Sequence, residues 1–280
     1  MRLVRWEGED GRARWGREVD EGTALPIRET AFPHLFATAP AELPFEDRQV
    51  RIGRRLAPVD PPNIIAIGRN YAEHAREMKG EASSEEPLIF LKATTSLIGP
   101  ADAIMLPISA PDEVDYEAEL AVVIGRVAKC VSERDVLNHV FGYSCANDVS
   151  ARDCQKRRDK QWARGKSFDT FCPIGPVLVT ADELSPDRLR VQSFLNGTPM
   201  QDGNTSEMIF SVAKLIHFLS HQFTLPPGTV ILTGTPAGVG SARTPPTFLK
   251  AGDVIDVAVE GIGRLSNRVA REVQGRTRSE

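Results

Sequence analysis

The sequence predicts a β-rich mixed α/β fold with few helices, preceded by a small N-terminal β-rich domain. Three observations lead there. Short apolar runs rich in Val and Ile recur along the chain, bounded by Gly, Pro, Asn or Asp, which is the pattern of buried strands. Helical composition is confined to short stretches around 70–79, 133–140 and 208–219. Strands and helices do not alternate regularly, which argues against a doubly wound sheet. At 280 residues the chain suits one large domain, or a main domain with an appendage.

The elements follow in order. Leu3 to Trp15 alternates about Gly8-Glu9-Asp10-Gly11, a hairpin signal. Residues 20–62 are rich in Pro and end in Pro58-Val59-Asp60-Pro61-Pro62, a linker signature. This divides the chain into residues 1–60 and 61–280. Ile64-Ile65-Ala66-Ile67 is a buried strand stopped by Gly68, and Asn70 to Lys79 a helix ending at Gly80. Strands follow at Leu88 to Leu91 and Glu119 to Ile124. Glu133 to Val140 fits a helix with Ser132 as N-cap. Phe141 to Ala146, Val177 to Val179 and Val191 to Leu195 are strands, the last closed by Asn196-Gly197, a type I′ hairpin signal. Met208 to Leu219 has apolar residues at helical period. Val230 to Leu232 is a strand, and Val254 to Val259 with Leu265 to Val269 is a closing hairpin.

Composition excludes several function classes. The net charge is −4, with 41% hydrophobic and 26% charged residues. This favours neither nucleic acid nor a membrane surface as partner. No apolar run approaches the ~20 residues that span a bilayer, and the N-terminus turns charged too early for a secretory signal. Cys130, Cys145, Cys154 and Cys172 form no CxxC pair. They read as reduced thiols of a cytoplasmic protein rather than a structural zinc site.

Four constellations could carry chemistry. Glu117 and Glu119 stand two apart at the mouth of an apolar strand, so both side chains point to one face, where Asp115 could join them. Like charges that close call for a neutraliser, and a hard divalent cation is the simplest. Asp148, ending a later strand, is a candidate third ligand, although Asn147-Asp148 alone reads as a turn. Three carboxylates suit Mg²⁺, Mn²⁺ or Ca²⁺, and zinc is disfavoured. His74 and Glu77, at i and i+3, could form a base with its orienting carboxylate, though spacing alone favours a solvated helix. The basic segment Arg152, Lys156, Arg157, Arg158, Lys160, Arg164 and Lys166 could in part hold a substrate carboxylate over a metal. Most of it reads as a charged loop, but Lys166 enters the less polar stretch Ser167-Phe168. Thr233-Gly234-Thr235-Pro236-Ala237-Gly238-Val239-Gly240 follows a buried strand and lets backbone N–H groups approach a ligand. It lacks the GK[ST] of a phosphate loop.

The order of these motifs resembles the fumarylacetoacetate hydrolase family. The matching blocks are Gly68 to Glu77, Asp115 to Leu120, Asn147 to Asp153, Gly165 to Pro173, Asn196-Gly197, Met208 to Ser211 and Thr233 to Gly240, spanning about 62 to 270. The resemblance implies a rolled mixed β-sheet (a β-roll or barrel), a homodimer and a Mg²⁺ or Mn²⁺ centre. It makes Glu117, Glu119 and Asp148 metal ligands and His74 with Glu77 a dyad on a closing lid. It places Lys166 near the substrate oxyanion, and Arg69, Arg152, Gln155 and Thr235 along the substrate pocket.

Substrates in that family are 2-keto or β-diketo acids. The resemblance therefore implies a metal-dependent hydrolase that cleaves a C–C bond of an acylpyruvate- or fumarylpyruvate-like acid through a chelated enolate. The alternative is an isomerase or decarboxylase of 2-hydroxyhepta-2,4-diene-1,7-dioate type in aromatic catabolism. His74 with Glu77 leans toward hydrolysis. A non-catalytic metal-dependent binding protein is a third reading, against which the filled catalytic positions argue. Substrate choice falls to residues 78–86 and 156–164, which carry no motif.

Overall fold

The Val- and Ile-rich runs pair into two large mixed sheets and one two-stranded ladder. The structure is a computed structural model and describes residues 1–78 and 85–273. Among the described residues the main sheet has 12 strands. Across it lie Val50–Arg51, Thr23–Pro26, Ala13–Asp20, Arg2–Glu7, Cys172–Thr180, Val140–Asn147, Ala118–Ile124, Val230–Leu232, Ile64–Gly68 and Leu88–Lys92, while Arg55–Leu56 and Leu97–Ile98 branch from Arg2–Glu7 and Cys172–Thr180. Its two edges do not meet, so the sheet is open rather than a closed barrel. Most neighbours are antiparallel, but Val230–Leu232 runs parallel to Ile64–Gly68. The second sheet orders Thr198–Asn204, Arg190–Leu195, Val254–Val259, Gly263–Arg271 and Ile104–Leu106. The N-terminal hairpin joins the main sheet directly, with Leu3 opposite Leu178.

Ala118–Ile124 sits in the interior of the main sheet, between Val140–Asn147 and Val230–Leu232. Ala118, Leu120, Val122 and Ile124 pack into one apolar cluster, whereas Ala121 and Val123 pack into another. Burial on both faces explains the unbroken apolar run. Glu119 is the one charged residue of that strand, and it is buried.

Two helical expectations need correction. Glu133 to Val140 does not form a helix: only Val136–His139 makes a 3₁₀ turn, and Val140 already pairs opposite Ile124. The Ser132 hydroxyl donates to the Asp135 carboxylate instead of capping a backbone N–H. The expected helix over 208–219 begins later, at Val212–Gln222, where the Ser211 hydroxyl accepts from Lys214 N–H. Ile209 and Phe210 are held out of it by hydrogen bonds from their N–H groups to Asn70. The helix buries Val212, Leu215, Ile216 and Leu219, each contributing about 1.5–3 kcal/mol. The first helix spans Ala72–Glu77, and its expected end at Lys79 and Gly80 lies outside the described residues. The Asn196-Gly197 turn is as expected, with φ of 50° and 80°.

No helix among the described residues is long and apolar enough to cross a membrane. All four cysteines are free, and only Cys130 is exposed. Burial pushes the thiols of Cys145 and Cys172 up to about 12. Alkylation of the folded protein with iodoacetamide should therefore modify Cys130 alone, and all four positions after unfolding. Rapid labelling of Cys145 or Cys172 in the native state, read by mass spectrometry, would contradict this packing.

Candidate metal centre and active-site cavity

Strand register assembles the acidic site. Ala118 stands opposite Asn147, so the next residues outward, Glu117 and Asp148, face each other. Asp148 N–H donates to the Glu117 carbonyl at 2.9 Å, and the Asn147 side chain accepts from Glu117 N–H at 3.0 Å. Glu119 lies two residues from Glu117 and turns to the same face. One carboxylate oxygen from each of Glu117, Glu119 and Asp148 lies within 4.8 Å of the others, and all three residues are buried.

Three buried cations answer this charge unequally. Lys166 Nζ donates to Glu117 Oε2 and Asp148 Oδ2, each at 2.7 Å. Lys92 Nζ donates to Asp148 Oδ1 at 2.6 Å. Arg152 pairs through Nη1 with Glu117 Oε1 at 2.6 Å and through Nε with Asp115 Oδ2 at 2.8 Å. Burial opposes the Glu117 charge, but Lys166, Arg152 and His74 outweigh it and hold that carboxyl below its ordinary range. Burial likewise opposes the Lys166 charge, and Asp148 with Glu117 outweigh it and hold that pKa above its usual value. Glu119 differs. Burial, then Asp148 and Glu117, push its pKa well up, and its Oε2 accepts from Gly234 N–H at 2.7 Å. A buried carboxylate facing two others, with one backbone donor among the described residues, fits a cation seat. The all-oxygen donor set fits a hard divalent ion.

The walls of the site are built by loops pinned to these strands. Asn70 is fully buried; its amide donates to Phe210 O and Thr233 O and accepts from Phe210 N–H. That locks the segment before the first helix against the glycine-rich loop. Gly234 has a φ of +96°, and a Cβ there would lie 2.8 Å from Asn70 Cβ, so the close approach requires glycine. Arg69 takes a φ of 57°, a strained conformation for a residue with a Cβ. His74 Nδ1 lies 2.8 Å from Glu77 Oε1, and Glu77 Oε2 accepts from Gly238 N–H at 2.9 Å. The dyad is therefore tied to the same loop that holds Glu119.

These residues surround a cavity of about 540 Å³. Arg69, His74, Glu77, Glu117, Glu119, Arg152, Gln155, Lys166 and Thr235 all line it, with Asp148 behind in the acidic cluster. The structure thus brings together the ten residues that the family resemblance assigned to the site. No residue of 1–60 lines it. The helix carrying His74 is not simply a solvated surface helix, because His74 is 6% exposed.

Sequence reasoning misplaced one member and missed another. Asp115 does not join the acidic triad; it is fully buried and accepts from Arg152, Gly240 N–H and Ser241 N–H. Lys92 was not considered. Its one signal is alternation: it shares a strand face with Phe90, which is buried, rather than with the exposed Leu91. Lys92 also donates to the Lys166 carbonyl, so it fixes an acidic ligand and the lysine beside it.

The family model for the C-terminal part of fumarylacetoacetate hydrolase matches residues 63–270. The mitochondrial oxaloacetate tautomerase fahd2 of Xenopus laevis is 43% identical over 289 residues, covering 96% of this chain and 90% of that protein. Oxaloacetate tautomerase YisK of Bacillus subtilis is 48% identical over 217 residues, covering 76% of this chain and 72% of its own. A crystal structure described as 5-carboxymethyl-2-hydroxymuconate delta-isomerase from Mycobacterium smegmatis superimposes with a TM-score of 0.84 at 39% identity, covering 97% of this chain and all of that one.

Removing one partner of a buried ion pair costs about 3–5 kcal/mol. Lys92→Met should lower unfolding stability by about that much in metal-free protein, measured by urea denaturation. Wild-type stability in that variant would show that Lys92 does not hold Asp148.

Proposed function

The chain belongs to the fumarylacetoacetate hydrolase family, an enzyme family, and from that premise we propose that it is a divalent-metal-dependent enzyme that enolises a 2-keto acid. The observation that carries this reading is the placement of His74 beside the buried triad, with its ring oriented by Glu77. Two relatives at 43% and 48% identity are named as tautomerases, and the structural relative is described as an isomerase. Those reactions move a proton across an enol and need no attacking water. They support enolisation as the core step ahead of C–C hydrolysis.

Glu117, Glu119 and Asp148 would hold Mg²⁺ or Mn²⁺, which supplies Lewis-acid polarisation of a keto oxygen when bound. The remaining steps belong to side chains of this chain. With Nδ1–H bonded to Glu77, the His74 Nε2 carries the lone pair and accepts the proton from the carbon next to the keto group. Glu77, itself fixed by Gly238 N–H, steadies the imidazolium until the proton is returned. Lys166 presents a fixed positive charge at the forming oxyanion without having to reorganise. Arg152, Gln155 and Thr235 position the acid, and Arg69 lines the same cavity.

A second reading keeps hydrolysis of an acylpyruvate- or fumarylpyruvate-like acid. It is supported by the double anchoring of Glu77, an arrangement that equally suits a histidine deprotonating water. Turnover separates the two. Enol-to-keto conversion of oxaloacetate with no cleavage of acetylpyruvate supports the tautomerase, and cleavage of acetylpyruvate without that conversion supports the hydrolase.

General-base catalysis contributes about 10²–10⁴ in rate. His74→Asn should lower kcat by that factor while leaving bound metal unchanged by elemental analysis. Glu119→Gln should lose the metal and the activity together. Full activity in His74→Asn, or full metal content in Glu119→Gln, would overturn these roles.

A further inference from the structure

The basic stretch after Arg152 is not uniform. Arg157 pairs with Glu113, Arg158 with Asp153 and Arg164 with Asp159, so these three are engaged at the surface. Lys156 has no carboxylate partner among the described residues. Its Nζ reaches only the Ser241 hydroxyl, at a long 3.4 Å, and both residues line the cavity.

Helical geometry explains where Lys156 sits. Arg152 to Arg158 is helical, with Cys154–Arg158 in a π-turn, and such turns concentrate at functional sites. Lys156 is four residues beyond Arg152, so the two share a face about one turn, roughly 6 Å, apart. Arg152 is 1% exposed and commits Nε and Nη1 to Asp115, Glu117 and Gln155. Its Nη2 is buried and finds no partner among the described residues. A buried guanidinium nitrogen without an acceptor is costly. Two like charges one turn apart, one with an unused donor and one without a carboxylate, leave positive charge at the wall beyond the triad.

We propose that Lys156, supported by Ser241 and the free Nη2 of Arg152, is the specificity-determining residue that reads a second carboxylate. On this view the enzyme selects 2-keto dicarboxylates over 2-keto monocarboxylates. The inference rests on the reading that the 2-keto acid end lies at the acidic triad. The distal carboxylate then falls one helical turn away, at Lys156. Ser241 is held in place by its N–H to Asp115, the same carboxylate that anchors Arg152, so both sides of the seat share one support.

Malate and lactate test this without turnover. Both carry the same 2-hydroxy acid end, and only malate has the second carboxylate. In calorimetric titrations with Mg²⁺ present, wild type should bind malate at least tenfold more tightly than lactate. Lys156→Met should cut that ratio about tenfold, the effect of one charge-assisted contact, with lactate affinity unchanged. Lys156→Arg should retain most of the ratio. The same malate-to-lactate ratio in wild type and Lys156→Met, or an equal loss for both ligands, overturns the proposal. Failure of the enolisation reading shows itself separately, as absent oxaloacetate tautomerisation in a protein whose malate preference still depends on Lys156.

Discussion

Three carboxylates are buried in one corner of this protein, and the surrounding structure is organised by the need to neutralise them. Burying an ionised carboxylate is costly unless it is paired and hydrogen-bonded. Glu117 and Asp148 are answered by Lys166, Lys92 and Arg152, whereas Glu119 faces its two neighbours with a backbone N–H. The residual negative charge is what a divalent cation would cancel. The same constraint explains why two lysines and an arginine lie fully buried in a sheet-rich core, where such residues are otherwise rare.

The sheet makes the arrangement rigid. Glu117 and Asp148 meet because Ala118 pairs with Asn147 in the interior of the main sheet. A one-residue slip would turn every side chain of the strand to the opposite face. The apolar clusters on both faces hold that register. Loops then attach to this frame through specific groups: Gly234 to Glu119, Gly238 to Glu77, and Gly240 with Ser241 to Asp115. One glycine-rich segment therefore touches the metal seat, the dyad and the support of Arg152. A ligand that repositions this segment would be felt at all three.

Much of this was legible in the chain. The two-residue spacing of Glu117 and Glu119 placed them on one face, and Asn196-Gly197 marked its hairpin through local backbone preference alone. Other features were not local. The pairing of Asp115 with Arg152 joins segments 37 residues apart, and no pattern in either segment announces it. Lys92 sits at the end of an apolar strand, and only the fold brings Asp148 over it. The helix expected over 133–140 lost to strand pairing at Val140, a tertiary override of local propensity. The start of Val212–Gln222 was displaced by Asn70, a contact across 140 residues. What stayed readable was set by neighbours in sequence, and what did not was set by register between distant strands.

Thermal unfolding of metal-stripped protein during a Mn²⁺ titration measures directly whether the buried triad seats a divalent cation, because a ligand that binds only the folded state stabilises it by about 2.7 kcal/mol at a hundredfold excess over its Kd. The prediction is saturable stabilisation with one equivalent bound per chain, abolished in Asp148→Asn. No stabilisation of the wild type, or the same stabilisation in Asp148→Asn, would contradict it.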